Sequence, residues 1–192
     1  NSQRAFLIKE KALYLLGELN MRLDDEESGR EILNQYLVDY ADGYFVISVK
    51  LNLATDAFSR GDLDEARSWF QDLLRERLSE DQRFLSQYYL ANVLYSLRDF
   101  SEARSLFSLI LTNFPEKNES LDGIYFGFGE SNYQLGNFSE AIQSYRFLLQ
   151  NYPESDNADD AKYNLAWCLI ELQRREEAMQ EFSELLTQYP DS

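Results

Sequence analysis

A small residue and a bulky apolar one recur along this chain in fixed register. Small residues stand at Gly29, Ala66, Ala103, Ala141 and Ala178, at intervals of 37, 37, 38 and 37. Twelve positions before each comes a second small residue: Gly17, Ala54, Ala91, Gly129 and Ala166. Four positions after each comes a bulky one: Leu33, Phe70, Phe107, Tyr145 and Phe182. Self-similarity at one period across a chain marks a repeat architecture. The segments RDFSEARSLFSLILTNFP, GNFSEAIQSYRFLLQNYP and QRREEAMQEFSELLTQYP align directly, and RGDLDEARSWFQDLLRERL and LDDEESGREILNQYLVDYAD join them.

Each unit reads as two amphipathic helices, A and B, with a short turn between them. Paired small residues let A and B approach closely, and the bulky residues fill the groove between neighbours. Four positions before the second small residue lies a side chain suited to an N-cap, namely Asp25, Asp62, Asp99 and Asn137, with Arg174 as the misfit. Helix A is expected at about 3–22, 44–60, 80–97, 119–135 and 157–173, and helix B at about 26–40, 63–77, 100–113, 138–151 and 175–188. No stretch demands a strand. This register also decides the glycine-dense stretch LDGIYFGFGESNYQLGNF. Gly129 falls in the middle of a helix A with Glu130 after it, whereas a phosphate loop needs a preceding strand and a Lys-Ser/Thr pair. Gly123 and Gly127 are read as thinning one helix wall to admit a ligand or a neighbouring helix.

The small–small–aromatic spacing with a terminal proline resembles the tetratricopeptide repeat (TPR). YFGFGESNYQLGNFSEAIQSYRFLLQNYP carries the pattern most fully, with Gly129, Gly136, Phe138, Ala141, Tyr145 and Pro153 at the signature positions. Unit two has Leu78 in place of the proline, and unit one has Gly29 for alanine and Ala41 for proline. The resemblance implies an all-α fold, a right-handed superhelix of about five helix-turn-helix repeats forming one domain over 1–192, with repeats at about 3–42, 43–79, 80–117, 118–155 and 156–192. It further implies a concave surface, lined by the A helices, that holds a partner's peptide or helix. The family's usual period is about 34, and the additional residues here fall between helix B and the next helix A. That longer junction, as in YPESDNADDAKYNLAWCL, resembles the repeats of bacterial envelope proteins: outer-membrane assembly lipoproteins and the periplasmic partner of the Tol–Pal system. It implies a bacterial periplasmic or envelope location, with the cytoplasm as the alternative.

The implied concave face takes Tyr14, Glu18, Met21, Leu51, Thr55 and Phe58 from the first two units. From the later units it takes the candidate partner-binding set: Tyr88, Asn92, Tyr95, Phe126, Glu130, Tyr133, Tyr163 and Trp167, with Ile170 beside them. Aromatic rings with carboxylates suit a chain bound by stacking and apolar contact, its basic residues meeting Glu130 or Glu18. Packing between adjacent A helices accounts for the same rings equally well. The Lys and Asn pair with which some TPR domains clamp a C-terminal carboxylate is absent, since only Asn92 matches.

Composition narrows the partner. The net charge is −16 with 34 acidic against 18 basic residues, and there is no His. Such a surface repels phosphate backbones and anionic lipid, which argues against nucleic acid and membrane binding and favours a protein or peptide partner, basic in character. Charge that simply keeps the protein soluble is an equal reading. No apolar run approaches a transmembrane length. Without His the commonest general base and metal ligand is missing, and the one cysteine, Cys168, lies mid-helix as a packed thiol. DDEESGREILNQ, from Asp24, mimics a calcium loop only loosely and reads better as an acidic first turn favoured by the helix dipole. No catalytic, cofactor or metal constellation is expected, and the chain is read as an interaction scaffold, not an enzyme. The alternative is an assembly subunit or regulatory domain that works through its convex or terminal surfaces, attached to a functional region outside these residues. Pro190 is expected to close the last helix B. Met179, Phe182, Leu185 and Leu186 would then lie on a face that lacks a polar cap, which points to self-association or a longer array. The start at Asn1 rather than Met likewise points to a piece of something longer.

Overall fold

The computed structural model of the chain describes residues 2–23, 25–115 and 121–189. Pro190 and Asp24 lie outside them, as do the first residues expected for the fourth helix A. Among the described residues ten helices follow one another and no strand occurs. The A helices are α1 (Ser2–Arg22), α3 (Val46–Ser59), α5 (Glu80–Ser96), α7 (Leu121–Gln134) and α9 (Ala158–Glu171). The B helices are α2 (Glu26–Asp39), α4 (Leu63–Leu73), α6 (Phe100–Asn113), α8 (Phe138–Asn151) and α10 (Arg175–Gln188). Most bounds fall within two or three residues of the expected ones. The exception is α4, which stops at Leu73 because Arg75 N–H bonds to the Asp72 carbonyl (3.1 Å) and Glu76 N–H to that of Leu73 (2.9 Å). Such i→i−3 bonds tighten the last turn and end the α-helical ladder.

The turn from A to B departs from the expected capping. Asp25, Asp62, Asp99 and Asn137 occupy the N-cap positions, but none makes a side-chain cap hydrogen bond. Their backbone closes the preceding helix instead. Asp62 N–H reaches the Ala57 carbonyl at 2.9 Å, and Asp99, Asn137 and Arg174 reach Leu94, Asn132 and Leu169 at 2.8 Å. The residue just before each is left-handed: Gly61 (φ 78°), Arg98 (65°), Gly136 (75°) and Gln173 (61°). This is the Schellman arrangement, in which orphan carbonyls at a helix C-terminus are satisfied through one left-handed residue. Arg174, the misfit as a cap, fits this role as well as the acids do.

The paired small residues act as read, with one refinement. An added Cβ at Gly129 would stand 2.6 Å from the Tyr145 ring, and one at Gly17 would stand 2.5 Å from Leu33. The bulky residue of helix B therefore seats over the first small residue of its own repeat. Gly127 admits a neighbouring helix, because the Phe107 ring of α6 occupies the place a side chain would take.

Two of the long junctions are pinned by an acid seven positions before the first small residue, Glu10 and Asp122. Buried Glu10 accepts at one oxygen from the Tyr36 hydroxyl (2.7 Å) and from Tyr44 N–H (2.5 Å), and Phe45 N–H bonds to Tyr36 (3.0 Å). Asp122 accepts from the Ser155 hydroxyl at 2.6 Å, and Asn157 N–H bonds back to Ser155 (3.2 Å). The Ser of the YP-x-S junction thus has a structural task.

Packing divides the chain into two compact units, Asn1–Tyr89 and Leu90–Ser192, the division falling inside α5. In the first, Leu33, Tyr36, Val49 and Leu53 form a core against which Leu13, Tyr14, Met21 and Trp69 pack. In the second, Ile142, Tyr145, Leu148, Leu165 and Leu169 do so, flanked by Phe126, Tyr133 and Phe138. Among the described residues no helix is long and apolar enough to cross a membrane.

Candidate functional site

In the first unit the A-helix face opens into a cleft of about 300 Å³ lined by Tyr14, Ser48, Leu51, Asn52, Thr55, Leu85 and Tyr89. Tyr14 is held flat against Phe45, with centroids 4.5 Å apart and planes at 5°. Tyr89 is stacked on Phe70 at 5.6 Å. Two rigid rings and two leucines thus face a wall of small polar groups. A second cleft of about 340 Å³ shares Asn52 and Thr55 and carries the charge: Glu18, Arg22, Glu26, Asp56 and Arg60. Asp56 is buried between Arg30 (3.2 Å) and Arg60 (2.9 Å), and Glu18 pairs with Arg22 (2.7 Å). Burial and the nearby Glu18 carboxylate raise the Tyr14 hydroxyl above its ordinary pKa, so it stays a neutral donor.

Of the concave residues expected here, Tyr14, Glu18, Met21, Leu51 and Thr55 line these clefts. Phe58 packs edge-on against Tyr89 instead (5.8 Å). Ser48 and Leu85, six before the first small residue, and Asn52 and Tyr89, two before it, were missed. The signal was present: these positions continue the stripe of Tyr14 and Leu51 along the same helical face.

Tyr88, of the candidate partner-binding set, belongs to this first unit. It is half-buried, stacked on Phe84 (6.5 Å) and edge-on to Tyr89 (5.6 Å). In the second unit Asn92 is half-buried on α5. Tyr95 and Glu130 meet: the Tyr95 hydroxyl donates to Glu130 Oε2 (3.0 Å), while Tyr145 and Asn164 donate to Oε1 (both 2.6 Å). Glu130 thus ties α5, α8 and α9 to α7, its two oxygens engaged by donors of the chain itself. Burial and this carboxylate push the Tyr95 hydroxyl up to about 12, and the fully buried Tyr145 higher still. Phe126 lies against Tyr145 (6.2 Å), and Tyr133 is edge-on to Phe138 (5.8 Å), both packed against the core. Tyr163 and Trp167 are exposed and stand together (6.1 Å), each edge-on to Phe182. The set is therefore mixed, with an inter-repeat latch at Tyr95 and Glu130, core-flanking rings at Phe126 and Tyr133, and an accessible pair at Tyr163 and Trp167. Cys168 is buried, its thiol pushed up to about 12 by burial and by Glu130, which removes it as a nucleophile at neutral pH.

Tetratricopeptide repeat family models match residues 11–43, 51–118 and 133–192, together most of the chain. The chain belongs to the tetratricopeptide repeat family. Among solved structures, MamA 41-end from Desulfovibrio magneticus RS-1 superposes with a TM-score of 0.80 at 14% identity, covering 96% of this chain and 98% of that one. MamA AMB-1 gives 0.77 at 18% identity, covering 96% and 94%. TPR-like repeats of a putative kinesin light chain from Podosopora anserina give 0.71 at 14% identity, covering 94% of each chain. At such identities the likeness is one of fold. No curated protein matches the sequence. Within the TPR frame, two of the lengthened junctions are held by hydrogen bonds of their own, at Tyr44–Phe45 and at Ser155–Asn157. The outer-membrane lipoprotein and Tol–Pal types are not among these matches.

Proposed function

We propose that this TPR chain is a protein-interaction scaffold, without chemistry of its own, that holds a segment of a partner protein on its A-helix face. The supporting observation is the paired cleft of the first unit. An apolar side chain fits between Tyr14, Leu51, Leu85 and Tyr89, and a polar or basic neighbour meets Glu18 and Glu26 at the adjoining rim. Rigid rings that lose little entropy on binding are effective anchors. Tyr163 and Trp167, exposed and standing together, offer a second contact of the same kind. A bacterial envelope setting rests on the YP-x-S junction alone and belongs to the same proposal; fractionation of the source cells tests it.

The test is affinity capture from source lysate by wild type, by Leu51→Glu with Leu85→Glu, and by Tyr163→Ala with Trp167→Ala, each checked for an unchanged melting curve. Loss of a captured protein in the first variant supports the cleft; retention in both variants removes recognition from the A-helix face. A second reading, assembly through the end faces, is favoured by Met179 and Leu186, which lie exposed on α10.

A further inference from the structure

The exposed apolar faces of α1 and α10 are two halves of a contact that the chain already makes internally. Inside the second unit α9 packs on α8, and Ile142 of α8 lies in one cluster with Ala161, Leu165 and Cys168 of α9. Met179 of α10 stands at the register of Ile142, one position after the second small residue, yet it is 70% exposed where Ile142 is 4%. Leu186 stands at the register of Leu149, which packs against that cluster, and is likewise exposed. On α1, Ala12, Leu16 and Leu19 stand at the registers of Ala161, Leu165 and Cys168. Leu16 is 51% exposed where Leu165 is 1%. α10 therefore shows the surface on which a helix A seats, and α1 shows the surface with which a helix A seats.

Charge gives the pairing a direction. The first half of α1 carries Arg4, Lys9 and Lys11, all exposed and without an ion pair among the described residues, in a chain of net charge −16. The groove of about 270 Å³ between α9 and α10 is lined by Tyr163, Leu185, Leu186 and Tyr189 and edged by Asp159 and Asp160. We infer that the occupant of this groove is α1 of a second copy of this chain, which would continue the repeat from one molecule to the next. The contact is heterologous: two different faces meet, so each molecule offers one of each. This inference deepens the end-face reading and is independent of the A-helix cleft.

Sedimentation equilibrium of the 192-residue chain tests it, with two pairs of substitutions at exposed positions, folding being checked by circular dichroism. Wild type should self-associate. Leu16→Glu with Leu19→Glu should be monomeric, and so should Met179→Glu with Leu186→Glu. An equimolar mixture of the two variants should form a dimer and stop there, because each retains the face the other has lost. Lys9→Glu with Lys11→Glu should weaken wild-type association at least tenfold. A monomeric wild type overturns the inference, as does a variant that still dimerises alone, which would mean a symmetric contact of one face with itself. A mixture that stays monomeric also overturns it. If wild type is monomeric but Met179→Glu with Leu186→Glu loses a protein captured from lysate, the end-face reading survives and the second copy is discarded as its occupant.

Discussion

Arg98 and Gln173 sit in left-handed conformations that glycine occupies at the two equivalent turns, and replacing both by glycine should stabilise the protein. The left-handed region costs an L-residue about 1–2 kcal/mol through the approach of Cβ to the following carbonyl. Glycine escapes that cost but loses about 0.5–1 kcal/mol more in backbone entropy on folding. The difference leaves about 0.5–1 kcal/mol in favour of glycine at each turn. The two sites are remote in sequence, so their effects should add to about 1–2 kcal/mol, or about 2–8 °C in melting temperature for a chain of this size. Contacts should intervene little, the side-chain bond of Gln173 being a long, exposed one that its Oε1 accepts from Arg175 (3.3 Å). Both side chains are exposed, and a Cβ added at the equivalent Gly61 and Gly136 would meet nothing within 4 Å. Thermal and urea unfolding of Arg98→Gly, Gln173→Gly and the double variant provide the measurement, with Arg98→Ala as control because alanine keeps the strained Cβ. Gly61→Arg should lose what Arg98→Gly gains. If Arg98→Ala stabilises as much as Arg98→Gly, the cost lies in the arginine side chain and the backbone argument fails.

Other changes probe the interior. Glu10→Ala leaves the Tyr36 hydroxyl and Tyr44 N–H without their shared acceptor and should cost about 2–4 kcal/mol, with Glu10→Gln milder because it keeps an acceptor; urea midpoints decide. Gly127→Ala drives a methyl into the Phe107 ring and should cost about 1–3 kcal/mol, measured the same way. Tyr36, Tyr95 and Tyr145 have folded pKa values raised above the unfolded value of about 10, so the unfolded chain releases their protons first. Stability should hold up to about pH 10 and then fall toward pH 12, by up to about 1.4 kcal/mol per pH unit for each such tyrosine; a denaturation series with flat midpoints across that window would contradict the assignment. Cys168 should resist a thiol reagent in native buffer and react at the rate of global unfolding, as followed by absorbance.

How far the sequence carried depended on whether a feature repeats. Helix positions were legible because the small and bulky residues recur at one period, and two misread details share a cause with what was read correctly. Asp62, Asp99 and Asn137 look like N-caps by residue type, but their function at that position is carried by backbone N–H, which any residue supplies, as Arg174 shows. The left-handed site is visible at Gly61 and Gly136 and hidden at Arg98 and Gln173, where strain is tolerated. On the A-helix face the register of Tyr14 and Leu51 located the stripe, but its width, which adds Ser48, Asn52, Leu85 and Tyr89, depends on how neighbouring helices are set. Glu130 was the least legible residue. Its donors lie 35, 15 and 34 positions away, so nothing local distinguishes a carboxylate that latches repeats from one that awaits a partner.

That last distinction bears on how an acidic, tyrosine-rich repeat protein holds together. A helical repeat has no sheet ladder running between units, so hydrogen bonds across repeats must come from side chains. A carboxylate accepts only, through two oxygens that can each take more than one donor. Tyrosine supplies a donor at the end of a rigid apolar body, which lets the hydroxyl reach a polar atom while the ring stays in the core. Glu130 crosses repeats in this way to Tyr95 and Asn164, and Glu10 reaches the next repeat at Tyr44 N–H, while Tyr145 and Tyr36 hold the same two carboxylates from within their own repeats. Part of the negative charge therefore acts inside the stack as hydrogen-bond acceptor and does not belong to the surface a partner meets. At the cleft rim Glu18 and Glu26 lie beside Arg22 and Arg30 of the chain itself, so charge reversal there should weaken capture of the basic segment proposed for the cleft, while Glu130→Gln should act first on stability.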